Sequence, residues 1–355
     1  MKNISEIDTN FKVKTSIDKK SIKFYDVLDE PFRVYGVFKE NGKFRRLPEE
    51  VAKSVSEGVD FLHTNTAGGR VRFKTDSPYV AIHANMGVIG KMPHFSLTGS
   101  AGFDFYIKVN EEQRYINSYM PPYDMKDGYE GIIELGTKEF REITINFPLY
   151  SDVKDLYIGL DENAVVESHE PYTIEKPIVY YGSSITQGGC ASRPGNAYQA
   201  AISRRFDCNF INLGFSGNAK AEKEITDYIK KLDMSVFVYD YDHNAPTVEH
   251  LSDTHEKMFK EIRKENPDLP VIFMSRPKFY LDDEEKERFD IIKTTCENAL
   301  VAGDKNVYFI SGVDLMTMAG NEGTVDNCHP NDLGFASMAK VLGDEIEKSG
   351  ILIKK

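Results

Sequence analysis

The order of apolar and polar residues changes character near residue 170. Before that point, short segments alternate apolar with polar residues, and turn signals such as Asn41-Gly42 and Asp127-Gly128 separate them. Alternation with a period of two predicts half-buried strands. The predicted strands are Val71–Thr75, Tyr79–Ala84, Phe103–Val109 and Glu142–Phe147. Helical periodicity is weak outside a short helix expected near Pro48–Ser56, so the first half predicts an antiparallel β-sandwich.

After residue 176, wholly apolar segments alternate with amphipathic ones. The predicted strands are Ile178–Tyr181, Phe210–Leu213, Val236–Tyr239, Val271–Met274 and Val307–Ile310. The predicted helices are Ala197–Arg205, Lys220–Lys231, Thr247–Glu265, Asp283–Val301 and Leu333–Lys348. Strands that are apolar throughout imply a parallel sheet covered by helices on both faces. Such sheets bind ligands beyond the carboxyl ends of their strands, where the strand order switches.

Two domains are expected, residues 1–170 and 171–355, because 355 residues exceed what one hydrophobic core usually serves. The polar, proline-containing segment 167–177 predicts a short linker between them. A net charge of −12 argues against nucleic acid or an anionic membrane as a partner. The N-terminus lacks a signal-peptide core and no apolar run could span a bilayer, so we expect a cytoplasmic protein. The four cysteines form no Cys-x-x-Cys pair, which favours reduced thiols.

A serine-rich turn, Gly182-Ser-Ser-Ile-Thr186, follows the first strand of the second half. A serine there projects its hydroxyl at the carboxyl edge of the sheet. The backbone N–H of Ser184 would lie near a helix N-terminus, where negative charge is favoured. The alternative is an ordinary helix N-cap, and Ser183 competes with Ser184 as the nucleophile.

A histidine and an aspartate lie close together near the end of the chain. Asp326 precedes His329 by three residues, so one turn of backbone can bring carboxylate and imidazole together. Pro330 restricts His329 to extended or turn geometry. Serine, histidine and aspartate are the groups needed for acyl transfer through a covalent ester. Cys328 is an alternative nucleophile, but it adjoins the histidine and has no loop of its own.

Two further loops follow the second and third strands. In Asn212–Asn218, glycines permit positive φ and close backbone approach, which suits N–H groups that bind an oxyanion. An ordinary glycine-rich loop is the alternative. In Asp240–Asn244, the amide of Asn244 could donate to the same oxyanion. The acidic residues and histidine of this segment could suggest a metal, but no third ligand motif accompanies them, so neither metal nor cofactor is expected.

These blocks, in this order across residues 177–348, resemble the SGNH hydrolases, also called GDSL esterases. The resemblance implies that Ser184 is nucleophile and first oxyanion donor, and that Asp326 and His329 complete a catalytic triad. It assigns Gly217, through its backbone N–H, and Asn244 to the oxyanion hole. It also implies a flavodoxin-like three-layer α/β/α domain with a five-stranded parallel sheet.

The chain departs from the family pattern at three positions. Ser183 stands where an aspartate is usual, His243 where a glycine precedes the block-three asparagine, and Ala245 where an aspartate follows it. The functional groups that the reaction needs are still present, so the assignment of the nucleophile is unchanged. The three departures bear instead on loop geometry and substrate preference.

The first half resembles a β-sandwich domain found before certain SGNH domains in bacterial carbohydrate esterases and related acyltransferases. The segment that carries this resemblance is Gly102-Phe-Asp-Phe-Tyr106. It implies a jelly-roll-like sandwich that helps to wall the site. Tyr119 and Tyr123 could contact a sugar there, or they could be ordinary surface loop residues.

Together these features predict a serine esterase that hydrolyses small acyl esters, preferably acetyl esters of carbohydrates, through an acyl-enzyme. The expected partner is a small-molecule or oligosaccharide ester. One alternative is an acyltransferase that passes the same acyl group to an acceptor other than water. Another is a catalytically silent carbohydrate-binding protein.

Overall fold

Two antiparallel sheets make up the first half of the computed structural model, which describes residues 15–352. The strands are β1 (Ile22–Asp26), β2 (Arg33–Tyr35), β3 (Phe38–Glu40), β4 (Lys43–Arg45), β5 (Arg70–Thr75), β6 (Tyr79–Met86), β7 (Phe103–Val109), β8 (Glu112–Tyr119), β9 (Gly128–Glu134), β10 (Arg141–Asn146), β11 (Val153–Asp161) and β12 (Val166–Ser168). One sheet has the order β1-β11-β6-β9 and the other β12-β5-β10-β7-β8, with β2 beside β5. Strands β3 and β4 form a separate hairpin.

Side chains from both antiparallel sheets fill one apolar core. Val71 and Phe73 of β5 meet Val80 and Ile82 of β6 in this core, and all four are fully buried. Alternate residues of β5 and β6 therefore point into this core, as the sequence predicted, although Arg70 and Arg72 on the opposite face of β5 are buried as well. Within the described part of the first half, short helices accompany the sheets: α1 (Glu49–Val55), α2 (Glu57–Leu62) and α3 (Leu97–Ser100).

The second half is a five-stranded parallel sheet. Its strands are β13 (Ile174–Gly182), β14 (Cys208–Gly214), β15 (Val236–Asp240), β16 (Val271–Met274) and β17 (Val307–Ile310). Its helices are α4 (Ser184–Gln187), α5 (Tyr198–Phe206), α6 (Lys223–Ile229), α7 (Val248–Glu265), α8 (Asp283–Val301), α9 (Gly312–Leu315) and α10 (Asp332–Ser349). The order β14-β13-β15-β16-β17 is that of flavodoxin-like sheets.

Helices cover both faces of the parallel sheet. Ile178 and Tyr180 of β13 face a core shared with α5 and α10, whereas Val179 and Tyr181 face a core shared with α6, α7 and α8. The predicted three-layer α/β/α arrangement is confirmed. Within residues 15–352, no helix combines the length and the apolar character needed to cross a bilayer.

The segment predicted to be a linker, residues 167–177, is mostly strand. Its first residues belong to β12, which pairs with β5, and its last belong to β13, which pairs with β14. Between these strands, His169 and Tyr172 are buried, and the guanidinium of Arg72 stacks 3.9 Å from the Tyr172 ring centroid. Ladder hydrogen bonds and a buried aromatic ring hold the segment in place despite its polar composition.

Strand register brings three loops to one point on the sheet edge. Gly182, the last residue of β13, lies opposite Gly214 of β14 on one side and Asp240 of β15 on the other. The N–H of Phe215 donates to the Gly182 carbonyl at 2.9 Å, and the N–H of Ser183 donates to the Asp240 carbonyl at 3.2 Å. The strand order switches at β13, so this is the ligand-binding position expected of such a sheet.

Candidate active site

The two serines after β13 have different partners. Ser183 is the N-cap of α4, because its Oγ accepts a 3.1 Å hydrogen bond from the N–H of Ile185. Ser184 is the first residue of that helix, and its Oγ lies 2.9 Å from Nε2 of His329. Its exposed fraction is 8%. The capping role that the sequence left open thus falls to Ser183, while Ser184 faces the histidine.

His329 and Asp326 form a closed local arrangement before α10. The Nδ1 atom of His329 lies 2.8 Å from Oδ2 of Asp326, and the backbone N–H of His329 donates to Oδ1 at 2.7 Å. Asn327, between them, has a left-handed φ of 62° that tightens the turn. An Nδ1–H donated to Asp326 leaves Nε2 as the acceptor for the Ser184 hydroxyl.

The Asp326 carboxylate is stabilised in its charged form. Partial burial acts to raise its pKa, but hydrogen bonds from the N–H and ring of His329 outweigh this effect and lower the pKa below its usual value. The N–H of Cys328 adds a third hydrogen bond to Oδ1 at 3.1 Å. The anion can therefore orient the imidazole and stabilise an imidazolium.

Gly217 lies in the loop after β14 with φ +68°, a conformation that disfavours a side chain. The loop is anchored on both sides of it. The N–H of Ser216 donates to Oε1 of Gln187 at 3.0 Å, and the N–H of Asn218 donates to the Phe215 carbonyl at 2.8 Å. The Gly217 N–H has no acceptor among residues 15–352, so it is available to a ligand.

Asn244 ends a short 3₁₀ turn over Asp242–Asn244, after β15. Its Oδ1 accepts a 3.2 Å hydrogen bond from the N–H of Ala219, in the loop that contains Gly217. This contact fixes the orientation of the side-chain amide and leaves its NH₂ group to donate elsewhere. The second and third loops are therefore joined at the same sheet edge.

The thiol of Cys328 contacts a histidine other than His329. Its Sγ lies 3.8 Å from Nδ1 of His243. Burial raises the pKa of this thiol, so the unreactive neutral form predominates. The geometry favours Ser184 over Cys328 as the nucleophile.

The acidic residues of the third loop are engaged by protein groups. Asp242 accepts hydrogen bonds from the guanidinium of Arg276 at 3.0 and 3.1 Å. Asp240 accepts hydrogen bonds from the hydroxyls of Thr186 at 3.0 Å and Tyr198 at 3.2 Å. These contacts account for both carboxylates without a metal ion.

The first domain reaches the site in ways that the sequence did not reveal. The hydroxyl of Tyr150 donates to the carbonyl of Ser184 at 3.1 Å, and Nε2 of Gln187 donates to Oδ1 of Asn65 at 3.1 Å. His94 places its ring centroid 5.6 Å from that of His329. These contacts carry no sequence signal, unlike the blocks that contain Ser184, Gly217, Asn244, Asp326 and His329, because they depend on how the domains pack.

Of the two tyrosines considered for sugar contact, one lies inside the protein. Tyr119 is 2% exposed, and its hydroxyl donates to the Val80 carbonyl in the core of the first domain. That contact and burial exclude both predicted roles for Tyr119. Tyr123 is 88% exposed, with Lys91 5.7 Å from its ring centroid.

A flavodoxin-like sheet with a serine, a histidine and an aspartate in hydrogen-bond contact at its carboxyl edge has the form of an SGNH hydrolase. The chain belongs to the GDSL-like lipase/acylhydrolase family, whose model matches residues 175–347. Residues 22–166 match GxDLY, the N-terminal domain of SGNH hydrolase-type esterases. The resemblance drawn from the sequence is thereby confirmed for both halves.

Solved structures with the same two-part architecture include a protein described as a GDSL-like lipase from Bacteroides ovatus. It is 30% identical, with a TM-score of 0.84 over 94% of this chain and 99% of that one. The salicylyl-acyltransferase SsfX3 of a tetracycline biosynthetic pathway is 17% identical, with a TM-score of 0.77 over 95% and 100%. The acetyl xylan esterase Est2A from the rumen bacterium Butyrivibrio proteoclasticus is 12% identical, with a TM-score of 0.58 over 94% and 100%. No curated protein matches the chain.

Proposed function

We propose that this protein is a serine esterase that hydrolyses small acyl esters, preferably acetyl esters of carbohydrates. The observation that carries the proposal is the continuous hydrogen-bonded series from Ser184 Oγ through the His329 ring to Asp326. A catalytically silent binding protein would not require these three groups in this geometry.

In the proposed mechanism, Nε2 of His329 takes the hydroxyl proton while Oγ of Ser184 attacks the ester carbonyl. Asp326 keeps the imidazole in the required tautomer and stabilises the imidazolium. The N–H groups of Ser184 and Gly217 and the amide of Asn244 bind the tetrahedral oxyanion. His329 then protonates the leaving alcohol. A water molecule, activated by the same histidine, hydrolyses the acyl-enzyme.

The carbohydrate part of the proposal rests on different observations from the chemistry. It rests on the two-domain likeness to an acetyl xylan esterase, and on the position of the first domain beside the catalytic groups. An exposed aromatic ring, Tyr123, lies on that domain and offers a flat surface of the kind that stacks on sugars.

Two measurements test the proposal. A serine-directed organophosphonate, followed by peptide mass spectrometry, should modify Ser184. A panel of acetylated sugars and nitrophenyl esters of increasing chain length should give the highest kcat/KM for acetyl groups on saccharides. Modification of another residue would overturn the nucleophile assignment, whereas preference for long acyl chains would overturn the substrate class. Absence of turnover on every ester, with measurable glycan binding, would favour the binding-protein alternative.

An acyltransferase is the second candidate, because the structure of a salicylyl-acyltransferase superposes on 95% of this chain. The same acyl-enzyme serves both reactions, and the outcome depends on which acceptor reaches it. Product analysis with candidate alcohol acceptors would distinguish them. Transfer that exceeds hydrolysis at low acceptor concentration would identify a transferase.

A further inference from the structure

Two side chains that the proposed mechanism does not use lie against His329. They are His94, on a loop of the first domain, and Cys190, in the turn after α4. One potential ligand atom from each of His94, Cys190 and His329 lies within 4.8 Å of the others. The rings of His94 and His329 are inclined at 50° to each other. Imidazole and thiolate are the ligands preferred by zinc and similar soft divalent cations.

The local backbone presents Cys190 toward this position. Cys190 has a left-handed φ of 75°, which is uncommon for a residue with a side chain, and it is 8% exposed. The preceding turn is held by a 2.8 Å hydrogen bond from the Gly189 N–H to the carbonyl of Ser184. The thiol is therefore fixed next to the catalytic groups.

The hydrogen bond at Nδ1 of His329 orients the ring so that Nε2 can bind a metal ion. The Nδ1 atom is held by the Asp326 carboxylate at 2.8 Å, and metal-bound histidines usually have such a partner. The atom left to bind a cation is Nε2, which also accepts the Ser184 proton in the proposed mechanism. His94 is exposed, so its ring can adjust to complete the site.

We propose that His94, Cys190 and Nε2 of His329 bind a thiophilic divalent cation such as Zn²⁺, and that the bound ion reversibly switches off the esterase. The three residues supply a two-histidine, one-cysteine ligand set, and water or the Ser184 hydroxyl completes a tetrahedron. Tetrahedral zinc separates its ligand atoms by about 3.4 Å, so modest movement of His94 closes the site. Binding releases the Cys190 proton to solvent and occupies the lone pair that the reaction needs.

Metal binding is independent of the proposed function, whereas inhibition rests on it. The first experiment therefore measures binding by spectroscopy. Co²⁺ added to the full-length protein should give visible bands of tetrahedral cobalt and a near-ultraviolet thiolate-to-cobalt band. Cys190→Ser should abolish the thiolate band. Cys208→Ser, a change at a buried cysteine in β14, should retain it. Loss of the band in Cys328→Ser instead, or no band in wild type, would overturn the site.

The second experiment measures inhibition of nitrophenyl acetate hydrolysis by Zn²⁺ and its reversal by EDTA. His94→Ala and Cys190→Ser should each raise the half-inhibitory zinc concentration at least about tenfold, while the rate without zinc stays near the wild-type value. His83→Ala serves as the control, because His83 lies in β6 and contacts Glu130. Equal zinc sensitivity in all four proteins would overturn the proposal.

The two experiments also separate the proposals from each other. Cobalt bands without esterase activity would contradict the proposed function and leave the metal site standing. Unfolding temperatures measured in EDTA show whether each variant is folded. If His94→Ala is not folded, His94→Gln replaces it. A ligand role predicts that zinc raises the unfolding temperature of wild type but not of His94→Gln.

Discussion

The buried guanidinium of Arg46, in the first domain, donates a 2.7 Å hydrogen bond to the carbonyl of Gly214, the last residue of β14. The same group donates to the carbonyls of Asn212 at 3.0 Å, Asn65 at 2.6 Å and Leu62 at 2.8 Å. None of these acceptors is a carboxylate. Burial without an anionic partner lowers the pKa of Arg46 to about 9. Arg46, a cation of the first domain, thus holds the end of β14 in the second domain. The loop that contains Gly217 begins at that strand end.

We expect Arg46→Met to lower kcat by roughly 10- to 100-fold with little change in KM, somewhat less than removal of an oxyanion donor itself. The reason is that the Gly217 N–H loses its fixed position and the site loses a nearby positive charge. Steady-state kinetics on nitrophenyl acetate measures this. Affinity for a boronic acid, whose serine adduct mimics the tetrahedral anion, should fall in parallel.

Arg70→Met is the matched control. Arg70 is also buried and reaches the same strand, but at its other end, where it donates to the Phe210 carbonyl at 3.2 Å and to Oδ1 of Asn209 at 2.6 Å. Both variants should lose stability, because buried acceptors are left without donors. If kcat falls equally in both folded variants, Arg46 has only a structural role.

Substitution of each of the two adjacent serines should distinguish the catalytic role of one from the helix-capping role of the other. Ser184→Ala should lower kcat by about 10⁴- to 10⁶-fold and leave the fold intact. Ser183→Ala should retain most activity and lower the free energy of unfolding by about 0.5–2 kcal/mol, because it removes the N-cap of α4. Urea unfolding and ester hydrolysis, measured on both variants, check this. The reverse pattern would make Ser183 the nucleophile.

Asn244→Ala should lower kcat by roughly 10²- to 10³-fold and leave KM nearly unchanged, as expected for a group that binds only the oxyanion. The variant also leaves the Ala219 N–H without its acceptor, which could loosen the neighbouring loop. Asn244→Asp controls for this effect, since it keeps an acceptor oxygen but loses the donor. Recovery of kcat in the aspartate variant would assign Asn244 to loop support alone.

The strands and helices of the parallel domain could be predicted closely because each has a clear local pattern, wholly apolar for a strand and amphipathic for a helix. Strand β16 (Val271–Met274) and helix α8 (Asp283–Val301) match their predicted bounds. Strand β16 is fully buried on both faces, and Asp282 and Glu285 form a capping box at the start of α8. The contact of Ser184 with His329 and Asp326 could be predicted for a similar reason, since Ser184 follows β13 and Asp326–His329 precede α10.

The first domain was less predictable where strands lack alternation. Strand β8 (Glu112–Tyr119) is exposed along most of its length, and only its last residue, Tyr119, is buried. Its pattern therefore resembles a loop. Arg46 was missed for a different reason: a single arginine resembles a surface charge, and its acceptor Gly214 is 168 residues away. Such contacts follow from domain packing and carry no local signal.

The buried carboxyl of Asp240 should make stability depend on pH. Burial raises its pKa from 3.8 to about 7; hydrogen bonds from Thr186 and Tyr198 moderate the rise, and the charge of Asp242 adds to it. Because the folded state then binds more protons than the unfolded state, this group's contribution is complete below pH 3.8 and is lost as the pH rises through about 7.

Between about pH 4 and 7, ionisation of Asp240 should therefore lower the stability of wild type by up to roughly 4 kcal/mol, for a shift of about three units. Asp240→Asn keeps the side-chain size but cannot titrate, so its free energy of unfolding should fall less steeply over the same range. Urea unfolding at four pH values measures both slopes. Asp124→Asn, at an exposed position, should keep the wild-type slope. An equal slope in Asp240→Asn and wild type would mean that Asp240 is ionised in the folded protein.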